Sequence, residues 1–157
     1  MNIKKFRENT AGTKNVIHFN NAGASLMPKV VSESVITYLR EESLYGGYET
    51  ADKNRESIEQ TYSVIGKFIN AQPDEIALLE NATAAWNMAL FSIDFKDGDR
   101  ILTSKSEYAS NYLSYLRLQE KVDIQIEVVP NDEHGQTSVT SLEKMMDRNV
   151  KLISITH

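Results

Sequence analysis

Apolar positions in the first third of the chain recur at the spacing of a helix. Pro28 predicts a helix start, because a proline loses no hydrogen bond in a first turn. The apolar positions of this helix fall on one face and are Val31, Val35, Tyr38 and Leu39. Gly46 and Gly47 predict its end. Residues 1–19 are expected to form an irregular lead-in that ends in the apolar piece Val16–Phe19.

A second helix is predicted to start near Thr50, which is a residue type that favours the N-cap position. Its apolar stripe comprises Ile58, Tyr62, Ile65 and Ile69. The segment Asn70–Pro73 predicts the stop.

From residue 75 the pattern changes to short apolar runs that alternate with helical segments. The runs predict four strands, at Ile76–Leu79, Arg100–Thr103, Val122–Val129 and Val150–Ile155. Two helices are predicted at residues 83–92, apolar nearly all round and hence buried, and at residues 108–120. The connections are a turn at Lys96–Asp99 and a loop at Asn131–Thr137. Thr140 and Glu143 have capping-box spacing before a third helix.

The order of strands and helices predicts an α/β fold with a mainly parallel sheet and right-handed crossovers. Ligands of such sheets bind outside the carboxyl ends of the strands. Three segments are therefore candidate binding loops: Glu80–Ala84, Ser104–Ser110 and Thr156–His157.

Composition narrows the possible classes of protein. The 157 residues are 41% apolar and 25% charged, as in ordinary globular domains, and contain no cysteine. Disulfides, thiolate metal sites and a cysteine nucleophile are excluded within this chain. The net charge of -5 disfavours nucleic-acid binding. No apolar run is long enough to span a membrane and no secretory signal is visible, so a cytoplasmic location is expected.

The segment that starts at Glu80 and opens the first sheet helix is a candidate anion site. A helix N-terminus offers free N–H groups, and Thr83 can add a hydroxyl donor to a phosphate. The alternative is that Asn81 or Thr83 is only an N-cap. None of the seven glycines falls in this turn, so neither a Rossmann fingerprint nor a P-loop is present.

Tyr108 follows the second predicted strand and could stack on a ring-shaped ligand; the alternative is that it packs on its own helix. His18, His134 and His157 show no metal-ligand spacing, so no metal site is predicted.

Several short motifs together resemble the class V aminotransferase family, the cysteine desulfurase-like group of fold-type I enzymes that use pyridoxal 5'-phosphate (PLP). In chain order the motifs are Asn20–Ala24 followed by Pro28, Tyr45–Glu49, Asn81–Ala84, Gly98–Thr103, Glu107–Asn111 and Leu152–His157. Each motif is weak alone, but the ordered set spans nearly the whole chain. The resemblance implies a three-layer αβα fold, part of the large domain of a PLP-dependent transferase.

The resemblance also implies roles for individual residues. Ala82, Thr83 and Ala84 match the phosphate-binding helix start. Tyr108 matches a position where many members place a histidine that stacks on the cofactor ring. The turn Asn21-Ala22-Gly23 matches a segment near the substrate, and Tyr48 lies in a loop that could reach an active site, including that of a partner subunit. A homodimer acting on an amino acid through an aldimine is implied.

Family members are much longer than this chain, and the catalytic groups of the family have no match in it. Neither the Schiff-base lysine nor the aspartate that pairs with the pyridine nitrogen is found in a matching context among the eleven lysines and the acidic residues. No catalytic residue is therefore assigned. The chain is expected to be the N-terminal part of such an enzyme and inactive alone. Residues 1–72 would form an N-terminal segment with helices, and residues 73–157 a truncated first part of the PLP-binding domain.

Two alternatives remain open. One is a non-catalytic binding or interaction domain that retains half of the fold, which predicts a closed surface. The other is a doubly wound nucleotide-binding domain, which the missing glycine fingerprint disfavours.

Overall fold

The structure is a computed structural model that describes residues 2–156. The chain divides into two compact units, residues 1–77 and residues 78–157. No helix among residues 2–156 is long and apolar enough to cross a bilayer.

The first unit is helical from its beginning, which corrects the prediction of an irregular lead-in. Helix α1 spans Ile3–Glu8, and a 3₁₀ turn follows at Ala11–Lys14. Asn2 caps α1 by accepting a hydrogen bond from the Lys5 amide at 3.1 Å. The Thr10 hydroxyl closes the helix by donating to the Phe6 carbonyl at 3.0 Å. Short polar side chains thus stabilise a helix that has too few apolar positions to show periodicity.

Three helices make up the rest of the first unit: α2 at Lys29–Tyr45, α3 at Gly47–Lys53 and α4 at Arg55–Ile69. A 3₁₀ turn at Pro73–Glu75 ends it. Pro28 precedes α2, as predicted. Gly46 ends α2 with a φ of 93°, a conformation that glycine adopts without strain.

The prediction that Thr50 caps the second long helix is wrong. Thr50 lies inside α3 and is buried, and its amide donates to the Gly46 carbonyl at 3.1 Å. A short extra helix therefore begins at Gly47, and the expectation that Tyr48 lies in a loop is wrong, because Tyr48 lies inside this helix. Glu41 of α2 joins this corner, because it accepts hydrogen bonds from Lys53 at 2.8 Å and Asn54 at 3.1 Å.

Helix α4 ends where the sequence predicted, at a left-handed Asn70 with a φ of 59°. The chain then turns closely over Gly66, where a Cβ atom would lie 2.7 Å from the Ala71 carbonyl oxygen. The predicted apolar stripe lies on α4, but Ile58 and Ile69 are 44% and 57% exposed.

The second unit contains a three-stranded parallel sheet in the order β2-β1-β3. Its strands are β1 at Arg100–Ser104, β2 at Gln125–Val129 and β3 at Val150–Ser154. Its helices are α5 at Ala82–Phe91, α6 at Ala109–Gln119 and α7 at Val139–Met145. The α/β class, the parallel sheet and three of the four strands are confirmed.

The predicted strand at Ile76–Leu79 is not formed. Leu78 is 52% exposed, and no strand in the described residues pairs with this segment. An apolar run becomes a strand only when a neighbour accepts its backbone hydrogen bonds, and this segment has no such neighbour there.

The crossovers explain how the helices cover the sheet. Helix α6 connects β1 to β2, and α7 connects β2 back past β1 to β3. Right-handed crossovers in opposite directions place these two helices on opposite faces of the sheet. Ile101 and Leu102 point to opposite faces and are both fully buried, so both faces of β1 are covered.

The core of this unit lies between α5, α6 and one face of the sheet. It comprises Leu90, Phe95, Ile101, Tyr115, Leu118 and Ile124. The expectation that α5 is buried all round is wrong, because Met88 is 65% exposed. Leu113 of α6 is likewise 63% exposed.

The remaining connections follow the predictions with one exception. The turn at Lys96–Asp99 contains Gly98 with a φ of 88°, and the loop at Asn131–Thr137 is confirmed. Helix α7 is capped by Ser138, whose hydroxyl accepts from the Ser141 amide at 3.2 Å. Thr140 therefore lies inside the helix, and the predicted capping box with Glu143 is not formed.

Candidate functional site

The start of α5 presents backbone donors. Asn81 adopts an extended conformation, and its side chain accepts a hydrogen bond from the Ala84 amide at 2.8 Å. The amides of Ala82 and Thr83 have no acceptor within the described part of the chain. Asn81 is an N-cap, as the simpler interpretation held, yet the cap occupies only one amide and leaves two for a ligand.

Two hydroxyl groups extend this set of donors. The Thr83 Oγ1 atom lies 3.4 Å from the Ser110 Oγ atom, which belongs to the first turn of α6. The structure thus brings together two of the three predicted binding loops. Ser110 was not assigned a role from the sequence, because nothing in the local pattern shows that it faces Thr83 across 27 positions.

Tyr108 is the residue that precedes α6, with φ of −65° and ψ of 132°. Its carbonyl accepts the Tyr112 amide at 3.1 Å, which fixes the backbone of Tyr108 to the helix. Its side chain is 64% exposed. More than half of the surface of Tyr108 is therefore accessible to a ligand.

Glu107 is the most heavily hydrogen-bonded side chain at this edge of the sheet. Six groups lie within 3.1 Å of its two carboxylate oxygens. They come from β1, β3, α6, the residue that precedes α6 and the segment after β3. Three surround Oε2, namely the hydroxyls of Thr103, Ser154 and Tyr115. Three surround Oε1, namely the Thr156 hydroxyl, the Tyr108 amide and the Asn111 side-chain amide.

These contacts determine the charge of Glu107. Burial alone would raise the pKa of this carboxyl, but hydrogen bonds from Thr156, Tyr108, Thr103 and Ser154 outweigh burial and lower the pKa to about 2. No lysine or arginine forms an ion pair with Glu107 in residues 2–156. The carboxylate is thus held ionised by neutral donors alone.

Tyr115 is perturbed in the opposite sense. Burial is the main reason that its pKa rises to about 12, and the nearby negative charge of Glu107 adds to this effect. Its hydroxyl therefore remains protonated and lies 2.6 Å from Ser154 Oγ, which in turn donates to Glu107. The sequence assigns no role to Glu107 or Tyr115, because their contacts with Ser154 exist only once β1 pairs with β3.

An open cavity of about 500 Å³ lies at the same edge of the sheet. The segments after all three strands line it, with Ser106, Gly135, Gln136, Thr137, Ile155 and Thr156. The Thr156 hydroxyl also donates to Glu107 at 2.7 Å. Thr156 therefore connects the Glu107 cluster to the cavity. The other residue of the third predicted loop, His157, lies outside the described residues.

The remaining predicted site residues belong to the first unit. Asn21, Ala22 and Gly23 lie in an exposed turn, in which the Gly23 amide donates to Asn20 Oδ1 at 3.1 Å. Tyr48 lies in α3 and is 92% exposed. The roles of these residues toward a substrate or a partner remain predictions.

Residues 17–157 match the family model of class V aminotransferases. This chain belongs to the class V aminotransferase family. The family match covers the helix start at Ala82, the Tyr108 loop and the whole sheet.

Curated relatives include probable cysteine desulfurases. The protein of Pyrococcus abyssi is 31% identical over 150 residues, which cover 92% of this chain and 37% of that protein. The protein of Methanothermobacter thermautotrophicus is 26% identical, over 90% of this chain and 36% of that protein. This chain thus spans little more than a third of the length of the relatives that it matches.

Solved structures show the same fold. An apo cysteine desulfurase from Thermococcus onnurineus superposes with a TM-score of 0.78 at 26% identity, over 97% of this chain and 39% of that one. A mutant of C-DES, with glycine covalently linked to its PLP cofactor, has a TM-score of 0.86 at 19% identity, over 96% of this chain and 40% of that one. The second likeness shows the fold alone.

The residues at this edge fit the phosphate and ring of such a cofactor. The start of α5 and the adjoining turn of α6 offer two unoccupied amides and two hydroxyls, which are donors suited to a phosphate. The exposed ring of Tyr108 stands at the start of the same turn of α6. The amide of Ala84 already binds Asn81, so its predicted contact with the phosphate would require that cap to open.

Proposed function

We propose that this chain forms the phosphate-binding and ring-facing part of a PLP-dependent site that acts on an amino acid. The observation that carries the proposal is the approach of Thr83 and Ser110 to 3.4 Å, which places the start of α5 beside the turn of α6 that begins at Tyr108. Membership of the class V aminotransferase family supports it.

The phosphate would be bound mainly by neutral donors. The amides of Ala82 and Thr83 stand at the positive end of the α5 dipole, where a dianion is stabilised without a cationic side chain. The hydroxyls of Thr83 and Ser110 would donate from the side. This arrangement uses no glycine loop, in agreement with the missing glycine fingerprint.

Tyr108 would cover one face of the pyridine ring. Tyrosine preserves the stacking that a histidine gives at this position, but it lacks the two ring nitrogens through which an imidazole accepts and donates a proton. We infer that Tyr108 orients the ring and does not exchange protons with a substrate. When bound, PLP supplies an electron sink for breaking bonds at the α-carbon of an amino acid.

The substrate and reaction are proposed from the relatives. Cysteine desulfuration is favoured because the probable cysteine desulfurases match 90% or more of the chain. The cavity lined by Thr156 and Gln136 offers polar groups for an amino acid beside this edge. A cytoplasmic location and a homodimer form part of the same proposal.

The exposed apolar side chains support the homodimer and disfavour the self-sufficient binding domain. In the first unit, Phe19 and Phe68 are 92% and 88% exposed. Side chains of this size are unfavourable in water when nothing covers them. We propose that a second copy of the chain covers Phe19 and Phe68.

Pyridoxamine 5'-phosphate is the appropriate probe, because it lacks the aldehyde that would react with the lysines on the surface. Thr83→Val should weaken its binding about tenfold, since the substitution removes a hydroxyl donor to a charged group. The control Thr61→Val removes an exposed hydroxyl of α4 that contacts only its own helix, and should leave affinity unchanged. Equal affinities of all three proteins would contradict the proposal.

A further inference from the structure

The two predicted binding loops that follow β1 and β3 are joined by a single side chain. Glu107 lies three residues after β1, and Thr156 lies two residues after β3. The Thr156 hydroxyl donates to Glu107 Oε1 at 2.7 Å, across 49 positions of sequence. Ser154, the last residue of β3, donates to the other oxygen at 3.0 Å.

The same carboxylate fixes the residue that follows it. The Tyr108 amide donates to Glu107 Oε1 at 2.8 Å, and the Asn111 side chain donates to the same oxygen at 3.1 Å. Tyr108 has no side-chain cap of its own, so this contact satisfies a donor at the start of α6. The backbone of Tyr108, from which the exposed ring projects, is therefore held by Glu107.

A glutamate is well suited to this position, and its amide analogue is not. Five of the six groups donate to the carboxylate, which offers acceptor sites on both oxygens. The sixth, the Tyr115 hydroxyl, shares its single hydrogen between Ser154 and Glu107. Glutamine has the same shape but replaces one oxygen with an NH₂ group, which would face up to three donors. Substitution by glutamine thus removes the anchor while it preserves the volume.

We propose that Glu107 is a positioning residue of the cofactor site. It holds Tyr108 and the Thr156 segment in fixed relative positions, so that the ring of the cofactor can stack on Tyr108. This inference rests on the proposed binding of PLP. Glu107 acts through Tyr108 and Thr156, and it does not itself contact the phosphate donors at Thr83 and Ser110.

The role predicts a separation between two ligands. Inorganic phosphate needs only the start of α5 and the two hydroxyls, whereas pyridoxamine 5'-phosphate also needs the ring-facing surface. Glu107→Gln should therefore lower the affinity for pyridoxamine 5'-phosphate about tenfold. It should change the affinity for inorganic phosphate less than about twofold. Hydrogen exchange of the Tyr108 amide should accelerate about tenfold, because the amide loses its acceptor.

The matched control is Glu120→Gln, at the other end of α6. Glu120 forms only an exposed ion pair with Arg117, so its substitution should change neither affinity nor the exchange of Tyr108. If Glu107→Gln does not fold, Thr156→Val provides a milder test, because it removes one donor and keeps the carboxylate. We expect it to lower the affinity for pyridoxamine 5'-phosphate about threefold and to leave phosphate binding unchanged.

The outcomes separate this inference from the proposed function. If the wild-type chain binds neither ligand, the proposed function is overturned, and the positioning role toward a cofactor is overturned with it. If the wild type binds both and Glu107→Gln binds both equally well, the function stands and the positioning role is wrong. If Glu107→Gln lowers the affinity for both ligands to the same extent and amide hydrogen exchange accelerates throughout the second unit, Glu107 only supports the fold.

Discussion

Tyr115 of α6 and Ser154 of β3 are joined by a buried hydrogen bond of 2.6 Å between their hydroxyls. Tyr115 is fully buried, and its ring lies edge-on to Trp86 and to Tyr112. The bond fixes α6, which begins just after Tyr108, to β3, which leads to Thr156. The stability of the second unit should therefore depend on this bond.

Tyr115→Phe should destabilise the protein by about 1–2 kcal/mol, because the ring remains in place while a buried donor is lost. Urea unfolding followed by circular dichroism measures this change. Tyr112→Phe is the matched control, since the Tyr112 hydroxyl has no hydrogen-bond partner in residues 2–156, and we expect a change below about 0.5 kcal/mol. Equal stability of the two variants would contradict the assigned bond.

Stability should fall as the medium becomes acidic because of Glu107. Its pKa is lowered to about 2 in the folded state, below the ordinary value of 4.5. The contribution is therefore fully present above pH 4.5 and is lost as the pH falls toward 2. We expect a loss of about 2 kcal/mol from this group, after allowance for its partial exposure to water. Urea midpoints between pH 5 and pH 2.5 should fall less steeply for Glu107→Gln than for the wild type; parallel curves would argue against the hydrogen-bond cluster.

Arg100, at the opposite end of the sheet, should matter for stability and not for binding. It bonds Glu127 of β2 at 2.7 and 2.8 Å, Asp147 at 2.8 Å and the Met145 carbonyl at 2.9 Å. These contacts tie β2 and the end of α7 to β1. Arg100→Ala should lower the urea midpoint at least about twice as much as Arg117→Ala, which removes only an exposed ion pair. Because Arg100 is at the amino end of its strand, affinity for pyridoxamine 5'-phosphate measured below the unfolding midpoint should be unchanged.

Gly66 should be sensitive to the smallest side chain. A Cβ atom there would lie 2.7 Å from the Ala71 carbonyl oxygen, so Gly66→Ala should destabilise the first unit by about 1–3 kcal/mol through overpacking. Gly47→Ala is the control, since the nearest atom would be 3.7 Å away, at Glu42 Oε1. Thermal unfolding of the two variants provides the comparison. A Gly66→Ala protein that melts with the wild type would show that the turn after α4 can shift.

Segments with a regular apolar spacing, or with a proline or a turn residue at their ends, could be predicted from the sequence. Segments whose structure depends on residues distant in sequence could not. Pro28, the end of α4 at Asn70 and strands β1 and β3 follow from local pattern and turn chemistry. The strand predicted at Ile76–Leu79 is not formed, because a strand needs a neighbour that accepts its hydrogen bonds. Helix α1 was missed because its stability comes from polar caps.

The same limit applies to the candidate site. Thr83 and Tyr108 could be proposed as cofactor contacts from the sequence, since each follows an apolar run and matches a family motif, and these roles remain predictions. Glu107 lies in one of those motifs, yet its role depends on Ser154 and Thr156, which are close to it only after β1 and β3 pair. Ser110 likewise gains its role from the approach of α6 to α5.

We propose that the start of α5 and the loop before α6 form one binding site for a phosphorylated pyridine. A titration of the ¹⁵N-labelled chain with pyridoxamine 5'-phosphate, in which each backbone amide is followed, measures whether they do. We predict saturable shifts that are largest at Ala82, Thr83, Tyr108 and Ser110 and that share one dissociation constant. Shifts confined to other residues, or different dissociation constants at Thr83 and Tyr108, would show that these two elements do not form one site.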